Sequence, residues 1–453
     1  MDKKENRDYC TTILYLSKTQ PYINRNLFYI PHLTYTQNNF MSSSQEDLSY
    51  PKENIKVLLL EGIHPKAEEN FKNHQFLNVE TQDEAWSEDE LLEKIQDVHL
   101  IGIRSKTQMT EKVIKNAPKL KGIGCFCIGT NQVDLEAAML AGVTVFNSPY
   151  SNTRSVAELV IAESIMLKRR IPLRDKKAHE GTWLKDAKES YEVRGKKMGI
   201  IGYGHIGSQV SVLAENMGFD VLYYDVEPKL PMGNATRIET MEELLEKSDI
   251  VTLHVPATPS TDMMMDAERF SQMKQGSVLL NLSRGSVVDI KALKEAIESG
   301  HISGAGIDVY PEEPESSGES FHTELQNLPN VILTPHIGGS TIEAQYNIGS
   351  DVSNKLINLI DNGTTVGSHS VPPLNLPVQK NAHRILHIHE NKPGVLSEIN
   401  RCLSDSDINI LGQYLKTNEH IGYVVLDVDK EYDDQVLEEI RNVKHTIKTR
   451  ILY

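Results

Sequence analysis

The segment "KKMGIIGYGHIGSQV", which begins at Lys196, constrains the fold of this chain more than any other stretch. An apolar run leads directly into Gly202, Gly204 and Gly207 in G-x-G-x-x-G spacing, and a helix-like sequence follows. Glycines in this spacing let the backbone approach a pyrophosphate, whose charge then lies at the N-terminus of the helix. Asp225 ends the next apolar run, at the distance typical of a carboxylate that binds ribose hydroxyls. The pattern predicts a dinucleotide-binding unit, with a tightly packed glycine turn as the alternative.

The same carboxylate bears on the choice of cofactor. A negative charge at Asp225 repels the additional phosphate of NADP, so the sequence favours NAD.

Short apolar runs alternate with helix-like stretches on both sides of this motif, which is typical of parallel α/β sheets. One series of runs begins at Ile55 and a second near Lys196. From about His383 the order becomes strand, helix, strand, strand, helix, strand, which predicts a small ferredoxin-like domain. We therefore expect two doubly wound parallel-sheet lobes and a C-terminal ferredoxin-like domain.

Composition excludes several classes of protein. A chain of 453 residues is too long for one ordinary core, and its formal charge of −16 opposes binding to nucleic acid or to an acidic membrane surface. No apolar run reaches the length of a membrane span. We expect neither a nucleic-acid nor a membrane partner.

The cysteines have neither the paired spacing of a zinc site nor that of a disulfide framework, which favours a reducing cytosol and no metal. They are Cys10, Cys125, Cys127 and Cys402. We expect Cys125 and Cys127 to share one side of an apolar strand. The polar first fifty residues are predicted to be disordered, and Met41 could be the true start.

Charged side chains follow three later apolar runs. They are Arg284 in "NLSRGSVVD", Asp308 and Glu313 in "GIDVYPEEP", and His336 in "TPHIGGS". Ligands of open α/β sheets bind at the carboxyl ends of the strands, so these residues can meet at one nicotinamide. Taken singly, each is more often a packing or surface group.

Together they suit the oxidation of a secondary alcohol. His336 can exchange the hydroxyl proton because histidine titrates near neutral pH, and Glu313 can fix its tautomer and favour the imidazolium. Arg284 can hold a substrate carboxylate. The residues predict an acid/base dehydrogenase that uses no metal.

This set of residues resembles the D-isomer-specific 2-hydroxyacid dehydrogenase family, and closely its members that oxidise 3-phosphoglycerate to make L-serine. The likeness runs from about Asn54 to Tyr453 and includes "SNTRSVAELV", "RGKKMGIIGYGHIG", "NATRIE", "HVPATPST" and "TPHIGGST". It implies that Arg284, Glu313 and His336 are the catalytic residues. The NAD contacts that it implies are His205, Ile206, Asp225, Leu282, Ser283, Asp308, Gly338 and Gly339.

The resemblance also implies the domain boundaries. These are a disordered extension over 1–53, a substrate-binding domain over 54–150 and 336–372, an NAD-binding domain over 151–335 and a regulatory domain over 383–453.

A phosphorylated substrate needs local cations in so acidic a chain. Arg104 and Lys106 follow a strand end in "IGIRSKTQ", and the resemblance makes Arg104 and Asn152 substrate contacts. Lys185 in "GTWLKD" is a weaker candidate. For Lys106 and Lys185, a basic loop facing water is an equal alternative.

The stretch "HIHENKPGVL" predicts a strand that enters a helix capped by Asn391, with Pro393 in its first turn. The C-terminal segment resembles an ACT domain, a module that binds amino acids between paired copies. This resemblance implies that His389, Asn391 and Asn409 bind L-serine as a feedback inhibitor in a cytoplasmic homotetramer. An ordinary helix cap on a dimerisation domain is the alternative.

Such inhibition requires a binding free energy that differs between two conformations, and a hinged linker is one means of transmitting it. The linker "NLPVQKNAHR" lacks the paired glycines expected beside a module of this type. Gly338 and Gly339 remain a second possible hinge.

Rival functions are a dehydrogenase for another 2-hydroxy acid such as glycerate or lactate, and an NAD-sensing protein that resembles the family's corepressors. Reduction of 2-oxoglutarate, held by Arg284 and Arg104, is a plausible second activity.

Overall fold

The computed structural model describes residues 51–314, 318–377, 382–429 and 434–452. The predicted disorder of the first fifty residues, and the question of a start at Met41, lie outside these ranges. In the described residues no helix combines the length and the apolar character needed to cross a bilayer.

The first lobe is a parallel sheet flanked by short helices. Its elements are β1 (Val57–Leu59), α1 (Lys66–Asn73), β2 (Val79–Thr81), α2 (Glu88–Lys94), β3 (Leu100–Ile103), α3 (Glu111–Lys115), β4 (Gly122–Cys125), α4 (Leu135–Leu140) and β5 (Thr144–Phe146). The strand order is β2-β1-β3-β4-β5. All these strands are parallel, but the order in which the chain adds them to the sheet reverses between β1 and β3. Ligands bind at such switch points.

Side-chain caps start α2, α3 and α4 of this lobe, whereas α1 begins after Pro65 without one. Ser87 and Glu90 form a reciprocal capping box at α2, and the side chains of Thr110 and Asp134 accept backbone hydrogen bonds at the starts of α3 and α4. Each cap satisfies an N–H group that has no partner within its helix. Polar residues thus fix where these three helices begin.

The second lobe contains the glycine motif. Its elements are α5 (Thr153–Lys168), α6 (Ile171–His179), β6 (Lys197–Ile201), α7 (His205–Asn216), β7 (Asp220–Tyr224), β8 (Thr236–Arg237), α8 (Met241–Lys247), β9 (Ile250–Leu253), α9 (Ala267–Gln272), β10 (Ser277–Asn281), α10 (Ile290–Glu298), β11 (Ile302–Ile307) and β12 (Val331–Leu333). The parallel order is β12-β11-β10-β9-β6-β7-β8, which reverses between β6 and β9.

Helix α11 (Ile342–Asp361) follows this lobe in sequence but packs on the first sheet. A Cβ at Gly124 would lie 2.7 Å from a methyl of Val352, and one at Gly122 would lie 2.9 Å from a methyl of Leu356. The absence of side chains at Gly122 and Gly124 therefore lets α11 pack closely on β4. This contact supports a substrate domain built from both flanks, whose boundaries stay a prediction.

The C-terminal segment forms an antiparallel sheet with the order β14-β15-β13-β16. Its elements are β13 (His383–Glu390), α12 (Val395–Asp405), β14 (Ile410–Thr417), β15 (Ile421–Val428), α13 (Asp434–Arg441) and β16 (Thr446–Ile451). This is the ferredoxin-like arrangement. The predicted fold class is therefore confirmed for all three parts.

The segment before this sheet is bound to the first lobe rather than loose. The Oγ of Ser370 accepts a hydrogen bond from Val145 N at 2.9 Å and donates to Val143 O at 2.7 Å. Val371 and Leu376 are buried against the C-terminal sheet. Part of "NLPVQKNAHR", residues 378–381, lies outside the described residues.

Several local expectations differ from the structure. β2 and β8 were not predicted, because both are short edge strands with partly or fully exposed side chains.

Cys125 ends β4, and Cys127 lies beyond it, where its thiol donates to Gly129 O at 3.2 Å, so the two do not share a strand. Helix α12 starts after Gly394, so Asn391 is not its cap and Pro393 is not in its first turn.

A buried ion pair joins two strands of the C-terminal sheet. Arg384 Nε and Nη2 donate to the carboxylate of Asp427 at 2.6 and 2.8 Å, and both side chains are fully buried. Arg384 Nη1 also donates to Asn362 O at 3.0 Å. The pair therefore links the sheet to the end of α11.

We expect Asp427→Ala to lower the free energy of unfolding by about 3–5 kcal/mol, because it leaves the Arg384 charge buried without its carboxylate. Denaturant titration measures this change. Combining Arg384→Met with Asp427→Leu should recover most of the loss, since both charges are then absent. Glu438→Ala, which removes an exposed pair with Arg441, serves as the control and should cost less than about 1 kcal/mol.

Candidate active site

The glycine turn lies at the switch point between β6 and β9. Gly202 has a φ of +91°, and a Cβ there would lie 2.4 Å from His254 O at the end of β9. A Cβ at Gly207 would lie 2.1 Å from Gly202 O, whereas one at Gly204 would meet nothing within 4 Å. The turn therefore has no room for a side chain at Gly202 or Gly207, whereas the space beside Gly204 at the start of α7 is open. This open space fits a pyrophosphate.

Asp225 is fixed beside this turn. Its Oδ2 accepts from Tyr203 N at 2.8 Å and its Oδ1 accepts from Glu227 N at 2.9 Å. The rings of Tyr203 and Tyr223 stack with centroids 3.9 Å apart. Each carboxylate oxygen keeps acceptor capacity, so Asp225 fits the ribose hydroxyls that it is predicted to bind.

Two further predicted contacts lie at the start of α7. His205 is exposed, and its ring lies against that of Tyr150, with centroids 3.9 Å apart and planes at 38°. Ile206 packs against the core of the second lobe. The contact of Tyr150 with His205 joins the segment before α5 to the rim of the cofactor turn.

Three of the predicted NAD contacts lie on the other side of the switch point. Leu282 and Ser283 follow β10 and are buried, and Ser283 N and Oγ both donate to Asn281 Oδ1. Asp308 follows β11 and is only 1% exposed. All three follow carboxyl ends of strands, as the sequence predicts.

The Asp308 carboxylate is engaged by the chain itself. Oδ1 accepts from Thr334 Oγ1 at 2.6 Å and from Ile337 N at 2.8 Å, and Oδ2 accepts from Gly338 N at 2.8 Å. His336 N also donates to Asp308 O at 2.8 Å. Asp308 therefore anchors the loop that carries His336, and its direct contact with NAD stays a prediction.

His336 and Glu313 form the acid/base pair. His336 Nδ1 donates to Glu313 Oε2 at 2.7 Å, and Glu313 Oε1 accepts from Tyr310 N at 3.0 Å. The hydrogen bond that His336 donates to Glu313 raises the pKa of His336, and burial acts in the opposite direction. Burial alone would raise the pKa of Glu313, but its hydrogen bonds with His336 and Tyr310 lower it. The pair is therefore a carboxylate beside an imidazole that protonates readily.

A cleft of about 750 Å³ places this pair opposite the predicted substrate cations. Arg104 and Lys106 line it from the first lobe, and Glu313 and His336 line it from the second. The positive charge of Arg284 lowers the pKa of both Glu313 and His336, so this exposed side chain acts on the pair electrostatically. The cleft thus combines a proton acceptor with cations that suit an anionic substrate.

Two predicted substrate residues lie elsewhere. Asn152 is buried, and its Nδ2 would be 2.1 Å from a Cβ at Gly339, so it packs beneath the Gly338–Gly339 turn. Lys185 is exposed and is not among the described residues that line the cleft. Their substrate contacts stay predictions.

Sequence reasoning missed Glu61, which follows β1. Its Oε1 accepts from Arg104 N at 3.0 Å and Thr107 N at 2.9 Å. Its Oε2 accepts from Ser105 N at 3.1 Å and Lys106 N at 3.0 Å. One buried carboxylate therefore holds the whole loop that presents the substrate cations.

Sequence reasoning also missed Glu163, an acid in α5 that is 1% exposed. Neither carboxyl oxygen has a hydrogen-bond partner among the described residues, and a Cβ at Gly306 would lie 2.3 Å from Oε2. Burial, and then the charge of Asp308, raise the pKa of Glu163 to about 8. Glu163 is therefore mostly protonated at neutral pH, behind the strand that carries Asp308.

The predicted effector residues lie at both ends of the C-terminal sheet: His389 and Asn391 lie where β15 begins, and Asn409 lies where β15 ends. His389 is buried against Gly422, where an added Cβ would lie 2.4 Å from its Nε2, and burial lowers its pKa. Asn391 is exposed and donates from Nδ2 to Asn418 O at 2.7 Å. Asn409 is exposed just before β14. Their binding of an amino acid stays a prediction.

Two family models match the chain. The model of the D-isomer specific 2-hydroxyacid dehydrogenase NAD-binding domain matches residues 161–338. That of the AHAS small subunit-like ACT domain matches residues 385–448.

Similar whole chains are named D-3-phosphoglycerate dehydrogenase. Those of Haemophilus influenzae and Escherichia coli K12 are each 50% identical, over 406 and 408 residues, covering 90% of this chain and 99% of the relative. That of Dictyostelium discoideum is 51% identical over 405 residues, covering 89% of this chain and 99% of the relative.

Solved structures share the fold of the two lobes. The TT0316 protein of Thermus thermophilus has a TM-score of 0.60 and 31% identity, covering 67% of this chain and 96% of its own. The D-lactate dehydrogenase of Aquifex aeolicus, complexed with NAD and lactic acid, has a TM-score of 0.60 and 27% identity, covering 70% of this chain and 100% of its own.

We expect Glu61→Gln to raise the amide hydrogen-exchange rates of residues 104–107 about tenfold or more, because an amide nitrogen cannot accept from two of the four N–H groups. Exchange followed by mass spectrometry measures this. Glu93→Gln, which removes an exposed charge from the same lobe, is the control and should leave these rates unchanged. Unaltered exchange in Glu61→Gln would show that the carboxylate does not hold the loop.

Proposed function

Because the chain belongs to the D-3-phosphoglycerate dehydrogenases of the D-isomer-specific 2-hydroxyacid dehydrogenase family, we propose that it oxidises 3-phospho-D-glycerate to 3-phosphohydroxypyruvate with NAD. The resemblance predicted from the sequence and its NAD dependence are confirmed by the family models and relatives. The reaction is the first step from 3-phosphoglycerate toward L-serine.

One observation carries the proposal at the level of chemistry. The hydrogen-bonded pair of His336 and Glu313 shares a cleft with Arg104 and Lys106. A substrate that needs loss of a hydroxyl proton and carries two anionic groups fits this combination. A substrate such as lactate, with one carboxylate, would leave cations of the first lobe unused.

In the proposed reaction, NAD would supply the acceptor for the hydride of the substrate C2, and the residues of this chain would handle the proton and the charges. His336 accepts the hydroxyl proton at Nε2, since Nδ1 is bonded to Glu313. Glu313 holds the ring in the tautomer that leaves Nε2 able to accept, and then stabilises the imidazolium that forms. Arg284 holds the substrate carboxylate and stabilises negative charge on the C2 oxygen.

The residues of the glycine turn suit the cofactor in this scheme. The backbone at Gly202, Gly204 and Gly207 would hold the pyrophosphate, and Asp225 would hold the adenosine ribose and disfavour NADP. The other predicted contacts surround the same switch point.

The C-terminal module supplies regulation. We propose that L-serine binds through His389, Asn391 and Asn409, with paired modules in a cytoplasmic homotetramer. His389 and Asn391 lie at one end of the C-terminal sheet and Asn409 lies at the other, so one copy does not bring all three together, which supports a site shared with a second copy.

NADH oxidation with different acceptors tests the function. We expect turnover of phosphohydroxypyruvate, lowered by L-serine in a preparation whose mass in solution is that of a tetramer. Pyruvate as the preferred acceptor would indicate a lactate-type dehydrogenase, and 2-oxoglutarate turnover would establish the second activity. No turnover of any acceptor would favour the NAD-sensing protein.

The acid/base pair predicts a change in pH dependence. Glu313 raises the pKa of His336, and oxidation requires the neutral imidazole. Glu313→Gln should therefore move the acidic limb of kcat/KM for oxidation to lower pH, and it should lower kcat because the imidazolium loses its carboxylate.

Glu312→Gln is the matched control, because Glu312 is an exposed neighbour outside the set that lines the described cleft. Its pH profile should equal that of the wild type. A shift of equal size in both variants, or of opposite sign in Glu313→Gln, would remove Glu313 from the proposed role.

A further inference from the structure

Three basic side chains meet at a small cavity between the C-terminal sheet and the first lobe. Lys121 comes from the residue before β4, and Lys448 and Arg450 come from β16. Residues two apart on a strand point to the same face, so Lys448 and Arg450 both face the cavity. This cavity lies far in the sequence from the residues of the cleft and shares none of its lining.

The two parts of the chain are in close contact here. Gly142 has a φ of +62°, and a Cβ there would lie 3.1 Å from Lys448 Cβ. Lys448 Nζ donates to Leu120 O at 2.6 Å, and Arg450 Nη1 donates to Leu359 O at 3.4 Å. The backbone of the first lobe thus receives both side chains from the C-terminal sheet.

The cluster has no carboxylate in the ranges that the structure describes: no ion pair there involves Lys121, Lys448 or Arg450. Burial, followed by the charges of Arg450 and Lys448, lowers the pKa of Lys121 to about 7. Burial and Arg450 lower the pKa of Lys448 to about 8, and burial lowers that of Arg450 to about 10. The three cations repel one another, and each of their residues is only partly exposed to water.

The remaining walls cannot neutralise this charge. They are formed by Gly142, Thr144, Leu359, Leu386, Ile388 and Tyr423. Tyr423 is buried, and its hydroxyl donates to Gly363 O at 2.6 Å. Partly buried cations that repel one another are stabilised by a counter-charge, and the described walls of the cavity do not supply one.

We propose that this cavity binds one small inorganic anion, with chloride the best match in size, held between Lys121, Lys448 and Arg450. The cavity volume of about 20 Å³ suits one species of about the size of a water molecule, which favours chloride over the larger phosphate and carboxylates. The anion bridges the C-terminal sheet and the first lobe. It therefore stabilises their contact in proportion to its concentration.

Chloride titration of the full chain tests this at constant ionic strength, with gluconate as the replacement anion. The thermal unfolding midpoint and the ³⁵Cl NMR line width are measured for the wild type and for Lys448→Met. We expect the unfolding midpoint of the wild type to rise with chloride concentration. The ³⁵Cl line width in excess of that of free chloride should be at least about tenfold larger for the wild type than for Lys448→Met. Phosphate at the same ionic strength should not reproduce the rise.

Lys444→Met is the control, since Lys444 is exposed four residues before Lys448. It should behave as the wild type. If Lys448→Met does not fold, Lys121→Met replaces it, because it removes a cation from the other side of the cavity. Equal chloride effects in all variants, or no excess line width in the wild type, would overturn the proposal. Neither measurement uses turnover, so the outcome is independent of the proposed reaction.

Discussion

The hydrogen bonds that Asp308 accepts from the loop of residues 334–338 are the interaction on which the rest of the active site depends. His336 has a φ of +53°, a conformation that costs free energy for a residue with a side chain. The carboxylate offsets this cost by receiving consecutive backbone N–H groups and the hydroxyl of Thr334. Only with the loop held in this way does His336 reach Glu313.

Glu61 acts in the same way in the other lobe, where it holds the loop of Arg104 and Lys106 at the switch point between β1 and β3. In each lobe a buried carboxylate binds backbone N–H groups, and the side chains of the loop are left to bind the ligand. A loop whose N–H groups are already bonded to the protein loses less conformational freedom when a substrate arrives. The acidic composition of the chain is therefore compatible with an anionic substrate.

Much of this could be predicted from the sequence, and the reason for the limits is physical. The glycine spacing and Asp225 report on a local turn, and Arg284, Glu313 and His336 each follow an apolar run, so local pattern was sufficient to place them at strand ends. Glu61 was missed because its role depends on β1 lying beside β3, a pairing of residues about forty apart that no local pattern encodes. Glu163 was missed for the same reason. The sequence of α5 does not distinguish it from an exposed acid of a helix, because its burial depends on the contact with Gly306, which is distant in sequence.

The linker changes how regulation can act in this chain. Ser370 is bonded to the backbone of Val143 and Val145, and Val371 and Leu376 pack on the C-terminal sheet, so this segment is not a free hinge. A displacement of that sheet by an effector must therefore act on the edge of the first sheet, through β5 and the contact at Lys448. Since β5 pairs with β4, and β4 pairs with β3, the edge is continuous with the strand that presents Arg104. For an effector that binds two conformations differently, this packed sheet is one element whose position it can bias, and a hinge at Gly338 and Gly339 stays a prediction.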